Sequence, residues 1–107
     1  MINIGLYYAV KEGHEEEFEK IFSDVVGFLK ENAKGFQRAD VYRKVGKGSP
    51  TTEYMIYSEW ENLASFRAFI SSKEFRDTTS YGKTIIEGRP YHKVFTEVND
   101  TTDATEG

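Results

Sequence analysis

Ile2, Ile4, Leu6, Tyr8 and Val10 alternate with Asn3, Gly5, Tyr7 and Ala9, a period of two that predicts a strand over Ile2 to Val10. After Gly13 the period lengthens. Phe18, Ile21, Phe22, Val25, Val26 and Leu29 form one helical stripe, so a helix is expected from His14 to Ala33. Glu15, Glu16 and Glu17 sit in its first turn, where negative charge meets the positive end of the helix dipole, and Lys34-Gly35 supplies a cation and a permissive position at its end. Phe36 to Val45 reads as a second strand, closed by the turn Gly46-Lys47-Gly48-Ser49-Pro50. A third strand follows from Thr52 to Trp60, with Tyr54, Ile56, Ser58 and Trp60 on one face and Glu53, Met55, Tyr57 and Glu59 on the other.

Asn62 is suited to cap a helix over Leu63 to Ser71, in which Leu63, Phe66, Phe69 and Ile70 recur at helical spacing. Ser72 can cap a second short segment, Lys73 to Tyr81, anchored by Phe75 and stopped by Gly82. Thr84 to Ile86 reads as a short extended piece before the Gly88-Arg89-Pro90 turn, and Tyr91 to Val98 as the last strand. The order is β-α-β-β-α-β, an α+β ferredoxin-like arrangement: a four-stranded antiparallel sheet with helices on one face. Residues 1–98 form one domain, and residues 99–107, with three acids and no large apolar side chain, are expected to be a disordered acidic tail. Apolar side chains stand on both faces of the first, third and last strands, so the uncovered face is expected to pack against a second copy of the chain as a homodimer.

Composition narrows the partners. The net charge is −4, with 14 basic residues scattered among 18 acids, which argues against nucleic acid. The absence of cysteine excludes disulfides, thiol catalysis and thiolate metal ligation. Met1-Ile2-Asn3-Ile4 has no basic segment ahead of an apolar one, and no apolar run is long enough to span a membrane; the reading is a cytoplasmic protein with no membrane partner. Aromatic residues reach 15% of the chain, enough to build a core and also to line a site for a flat molecule.

Several segments resemble the antibiotic biosynthesis monooxygenase (ABM) family: Val10-Lys11-Glu12-Gly13 leading into a Glu-rich helix, Gly35-Phe36 after it, and Tyr57-Ser58-Glu59-Trp60-Glu61-Asn62 running into Phe66-Arg67-Ala68-Phe69. The resemblance covers roughly residues 2 to 98 and implies a dimeric α-β barrel. It also implies a monooxygenase acting with O2 on a small aromatic or quinol, without metal or flavin. Trp60 matches the family's Trp. Ile56 stands where the polyketide-oxidising branch has Asn, Phe66 where it has Tyr, and Tyr42 meets its second-strand Tyr with a one-residue offset. Thr79 and Leu6 fall where the haem-degrading branch has its axial His and its first-strand Asn, so no haem ligand is expected there and no cofactor is expected.

The expected substrate pocket is lined by Trp60, Tyr54, Ile56, Phe66 and Phe69, between the sheet and the helix after the third strand. The same residues serve equally as plain core. Oxidation of a phenol without a cofactor requires removal of a proton beside an apolar wall, and Tyr7, Tyr42, Ser58, Tyr81, Arg76 and His92 are the polar groups within reach of such a pocket. His92 and Tyr42 are the catalytic candidates, His92 because imidazole titrates near neutrality. A histidine in a sheet or dimer interface is the competing reading. His14, alone at a helix start, is read as structural, and Glu15 to Glu17 as a solvated face. The alternative function is a non-catalytic small-ligand-binding or stress-related dimer on the same scaffold. A protonatable group facing the cavity separates the two: walls that are wholly apolar, or a space filled by Phe66 and Phe69, favour binding.

Overall fold

The structure is a computed structural model and describes residues 1–46 and 50–98. Its elements are β1 (Ile2–Lys11), α1 (Glu15–Asn32), β2 (Phe36–Arg43), β3 (Thr51–Trp60), α2 (Leu63–Ile70), α3 (Lys73–Gly82) and β4 (Tyr91–Thr96). All strand pairs are antiparallel, in the order β2-β3-β1-β4, which is the expected ferredoxin-like sheet. The second and last strands end two residues earlier than the sequence suggested, at Arg43 and Thr96. The expected acidic tail, residues 99–107, and the centre of the β2–β3 turn lie outside the described residues.

Local chemistry sets the boundaries. Asn62 Oδ1 accepts from the Ser65 amide at 2.9 Å and Ser72 Oγ from the Phe75 amide at 3.2 Å, so both short helices have the predicted caps. His14 occupies the cap of α1 without a capping hydrogen bond; its Nδ1 instead lies 3.0 Å from Glu17 Oε1. At Gly35 φ is +84°, and a Cβ there would overlap the Ser65 side chain, so glycine is required for conformation and for space.

The register fixes which side chains share a face. Ile2, Ile4, Leu6, Tyr8 and Val10 of β1 stand beside Trp60, Ser58, Ile56, Tyr54 and Thr52 of β3, under the helices. Two packed clusters result, one around Ile2, Ile4, Leu29, Trp60, Leu63 and Phe66, the other around Val10, Phe18, Phe22, Tyr54, Ile56 and Ile85. Thr84 to Ile86 is not the extended piece the sequence suggested: Thr84 and Ile85 continue a turn after α3, their amides donating to the Tyr81 and Gly82 carbonyls, and only Ile86 bridges Val10, while the Lys11 amide donates to the Ile85 carbonyl at 2.8 Å.

No helix among the described residues covers the opposite face. Tyr7 stacks on Tyr91 with ring centroids 5.0 Å apart, and Tyr42, Met55 and Phe95 share that face. The polar chain Asn3–Tyr57–Glu59–Arg38 crosses it, with links of 2.6, 2.8 and 3.1 Å. Val94 pairs with Ile4 and lies on the helix side, not on the open face. No helix among the described residues is long and apolar enough to cross a membrane.

Candidate functional site

The expected pocket around Trp60 is filled. Trp60 is 1% exposed, and Phe36, Phe66 and Phe69 surround it with ring centroids at 5.3, 5.6 and 5.6 Å. Its indole Nε1 donates to the buried Ser58 Oγ at 3.0 Å. The remaining void is about 20 Å³, room for roughly one water and for no aromatic ligand. Trp60, Ile56 and Phe66 are therefore core, and half-buried Phe69 packs on them.

Tyr54 is also buried, and its hydroxyl donates to Glu19 Oε2 on α1 at 2.5 Å. Burial and that carboxylate together push the phenol up to about 12, so it remains protonated and committed to Glu19. Tyr42 lies on the open face opposite Met55, on the far side of the sheet from Trp60. The sheet thus separates the two catalytic candidates, because His92 pairs with Leu6 and stands on the helix side. Tyr7 shares the open face, Arg76 is exposed on α3, and Tyr81 is turned to Glu17.

A larger cavity, about 360 Å³, opens one step along the sheet, between Leu6 and Tyr8 of β1, the Phe18–Val25 stripe of α1, α3, and the segment leading into β4. This is within the range of small-molecule sites. Its walls are mainly apolar: Phe18, Ile21, Phe22, Ile70, Phe75, Ile85 and Ile86. His92 stands at its solvent-exposed edge, with its ring 5.6 Å from Phe66. Two threonines of α3 also line it, but each hydroxyl donates to a carbonyl one turn back, Thr78 to Glu74 at 3.0 Å and Thr79 to Phe75 at 2.8 Å.

Tyr8 completes the site, and it was missing from the sequence-derived polar candidates. Its ring lies 5.4 Å from that of Phe18 and 5.2 Å from that of Phe22. The hydroxyl has no hydrogen-bond partner among the described residues, yet it is not sealed from the cavity. Burial pushes this phenol well above its ordinary value, so it is a neutral donor. The signal in the sequence was a tyrosine in an otherwise aliphatic inward row, a polar atom that must find a partner or meet a space.

Thr79 Oγ1 is tied to the helix backbone, Tyr8 is held protonated, and the described lining has no thioether or thiolate. His92 at the edge is the remaining imidazole. The donor set does not fit a haem ligated from the α3 wall.

The family model described as antibiotic biosynthesis monooxygenase matches residues 1–80. Among solved structures, SnoaB, a cofactor-independent oxygenase from Streptomyces nogalater, superposes with a TM-score of 0.74 at 19% identity, covering 95% of this chain and 98% of SnoaB. A protein from Deinococcus radiodurans described as a "putative antibiotic biosynthesis monooxygenase" gives 0.79 at 9% identity, with 95% and 97% covered. At these identities the likeness is one of fold. A curated relative from Natronomonas pharaonis, described as a "putative heme-binding protein", is 27% identical over 89 residues, which is 83% of this chain and 14% of the relative. The matched region thus spans about one-seventh of that protein's length.

Proposed function

The chain belongs to the antibiotic biosynthesis monooxygenase family, and on that premise we propose that it oxidises a small, flat aromatic or quinol with O2. The reading assigns the reaction to the cavity between β1, α1 and α3 and uses neither metal nor flavin. One observation carries it: an apolar space of about 360 Å³ whose edge holds an imidazole, His92. In the proposed reaction His92 takes the phenolic proton, and the carbanion-like ring passes an electron to O2. The resulting radicals join in a C–O bond to give a hydroperoxide. Loss of water from a ring CH2 position then leaves a carbonyl, so that CH2 and O2 become C=O and H2O. The apolar walls keep bulk water from the intermediates.

Homodimerisation belongs to the same proposal. Tyr7, Tyr42, Met55, Tyr91 and Phe95 give the helix-free face the aromatic character of an interface, and two such sheets face to face would bury on the order of 2,000 Å².

A second reading, a non-catalytic ligand-binding dimer, is favoured by one feature: His92 has no hydrogen-bond partner among the described residues to orient it as a base. Oxygen consumption with a panel of hydroquinones and anthrone-like phenols separates the two. Uptake that depends on His92 supports the oxygenase; no uptake above the protein-free control on any member of the panel overturns it and leaves the binding reading.

A further inference from the structure

Two tyrosines face each other across β1 and β3 on the helix side of the sheet, Tyr8 and Tyr54, and their hydroxyls meet different fates. That of Tyr54 is taken by Glu19, whereas that of Tyr8 has no partner and borders the cavity. The other hydroxyls of the wall, on Thr78 and Thr79, have already given their protons to helix carbonyls. The Tyr91 ring is stacked on Tyr7 across the sheet. No carboxylate occurs in the described lining, and the one cation, Lys83, is exposed just beyond α3.

We infer that the Tyr8 hydroxyl is the site's specificity-determining donor, pointing the cavity toward uncharged aromatic molecules that present a ketone or quinone oxygen, in preference to aromatic carboxylates. The inference rests on the cavity being the ligand site, as the proposed function has it. A ligand that fills the cavity covers this unpaired hydroxyl, and a neutral carbonyl oxygen satisfies it there without bringing a charge out of water. A carboxylate seated there would lose its hydration against a neutral phenol, with no buried cation in return. An apolar hydrocarbon of the same shape would leave the hydroxyl unsatisfied. Tyr8 thereby positions the ligand from below while His92 stands at the edge.

The test uses the full chain and three probes on one ring system: 2,3-dimethyl-1,4-naphthoquinone, 2,3-dimethylnaphthalene and 2-naphthoate, with affinities from equilibrium dialysis. In the wild type the quinone should bind at least as tightly as the hydrocarbon, and 2-naphthoate at least about tenfold more weakly. Tyr8→Phe keeps the ring and should weaken the quinone about tenfold while leaving the hydrocarbon within about twofold. Unchanged quinone affinity in Tyr8→Phe overturns the inference, as does an equal loss for quinone and hydrocarbon. Even without the variant, 2-naphthoate binding as tightly as the quinone, or the hydrocarbon binding more tightly than the quinone, overturns it. Those results leave the cavity standing as a ligand site. Failure of all three probes to bind the wild type removes the cavity reading itself, and the inference with it.

Discussion

Trp60→Phe should destabilise the fold and leave ligand binding intact, the reverse of what a pocket-lining tryptophan would do. The exchange removes three side-chain heavy atoms from a site that is 1% exposed, costing roughly 2 kcal/mol in lost burial and packing. It also deprives buried Ser58 Oγ of its 3.0 Å donor, which adds about 1–3 kcal/mol. The sum is about 3–5 kcal/mol, a large share of the margin of a domain this size. At about 4 °C or more per kcal/mol, the melting temperature followed by circular dichroism should fall by roughly 12–20 °C. Adding Ser58→Ala to Trp60→Phe should recover about 1 kcal/mol, because both partners of the lost bond are then gone. Naphthoquinone affinity should stay within about twofold of wild type below the melting transition. A variant that melts within about 3 °C of wild type but no longer binds the quinone would show that Trp60 is a wall of the site and that the filled space around it is wrongly described.

His92→Ala should lower any oxygen uptake by roughly 10² to 10⁴, the usual share of general acid–base catalysis, while Tyr42→Phe, on the far side of the sheet, should leave the rate per dimer unchanged; equal losses in both would refute the placement. Met55→Asp on the helix-free face should shift sedimentation at micromolar concentration from dimer toward the 12.3 kDa chain, and a wild type that sediments only at 12.3 kDa would refute the dimer. Titration with hemin should give no sharp, stoichiometric Soret shift, since Thr79 is tied to Phe75 and Tyr8 is protonated; a one-to-one shift lost in His92→Ala would contradict this. Tyr54 is protonated in the fold up to about pH 12 against 10 when free, so its contribution to stability is whole below pH 10 and is lost as pH rises from 10 to 12. Tyr54→Phe should flatten urea-unfolding stability across that window, and an unchanged alkaline slope would refute the assignment.

The fold was legible in the sequence because its signals are local. The period-two rows of β1 and β3, the α1 stripe and the caps at Asn62 and Ser72 each reveal an element without knowledge of its neighbours. The site was less legible because it depends on volume. Trp60, Phe66 and Phe69 read identically as core or as wall, and only their ring-to-ring packing reveals that no space remains. His92 lines the neighbouring cavity and not the space around Trp60. Which faces Tyr42 and His92 share depends on the register of β2 and β4 against β3 and β1, a long-range property that single-strand alternation does not reveal.

The position of β1 at the centre of the sheet carries a kinetic consequence. Tyr7 pairs with Tyr91 across 84 residues of chain, whereas Arg43 pairs with Tyr54 across 11. The eightfold longer closure costs about 2 kcal/mol more in chain entropy before any contact repays it. On a ribosome β1 therefore emerges before either of its neighbours and acquires the second, β4, last. Until then the apolar row from Ile2 to Val10 has a bare hydrogen-bonding edge, the kind of surface on which nascent chains aggregate. Chains arrested before residue 91 should consequently need a chaperone that chains carrying β4 do not.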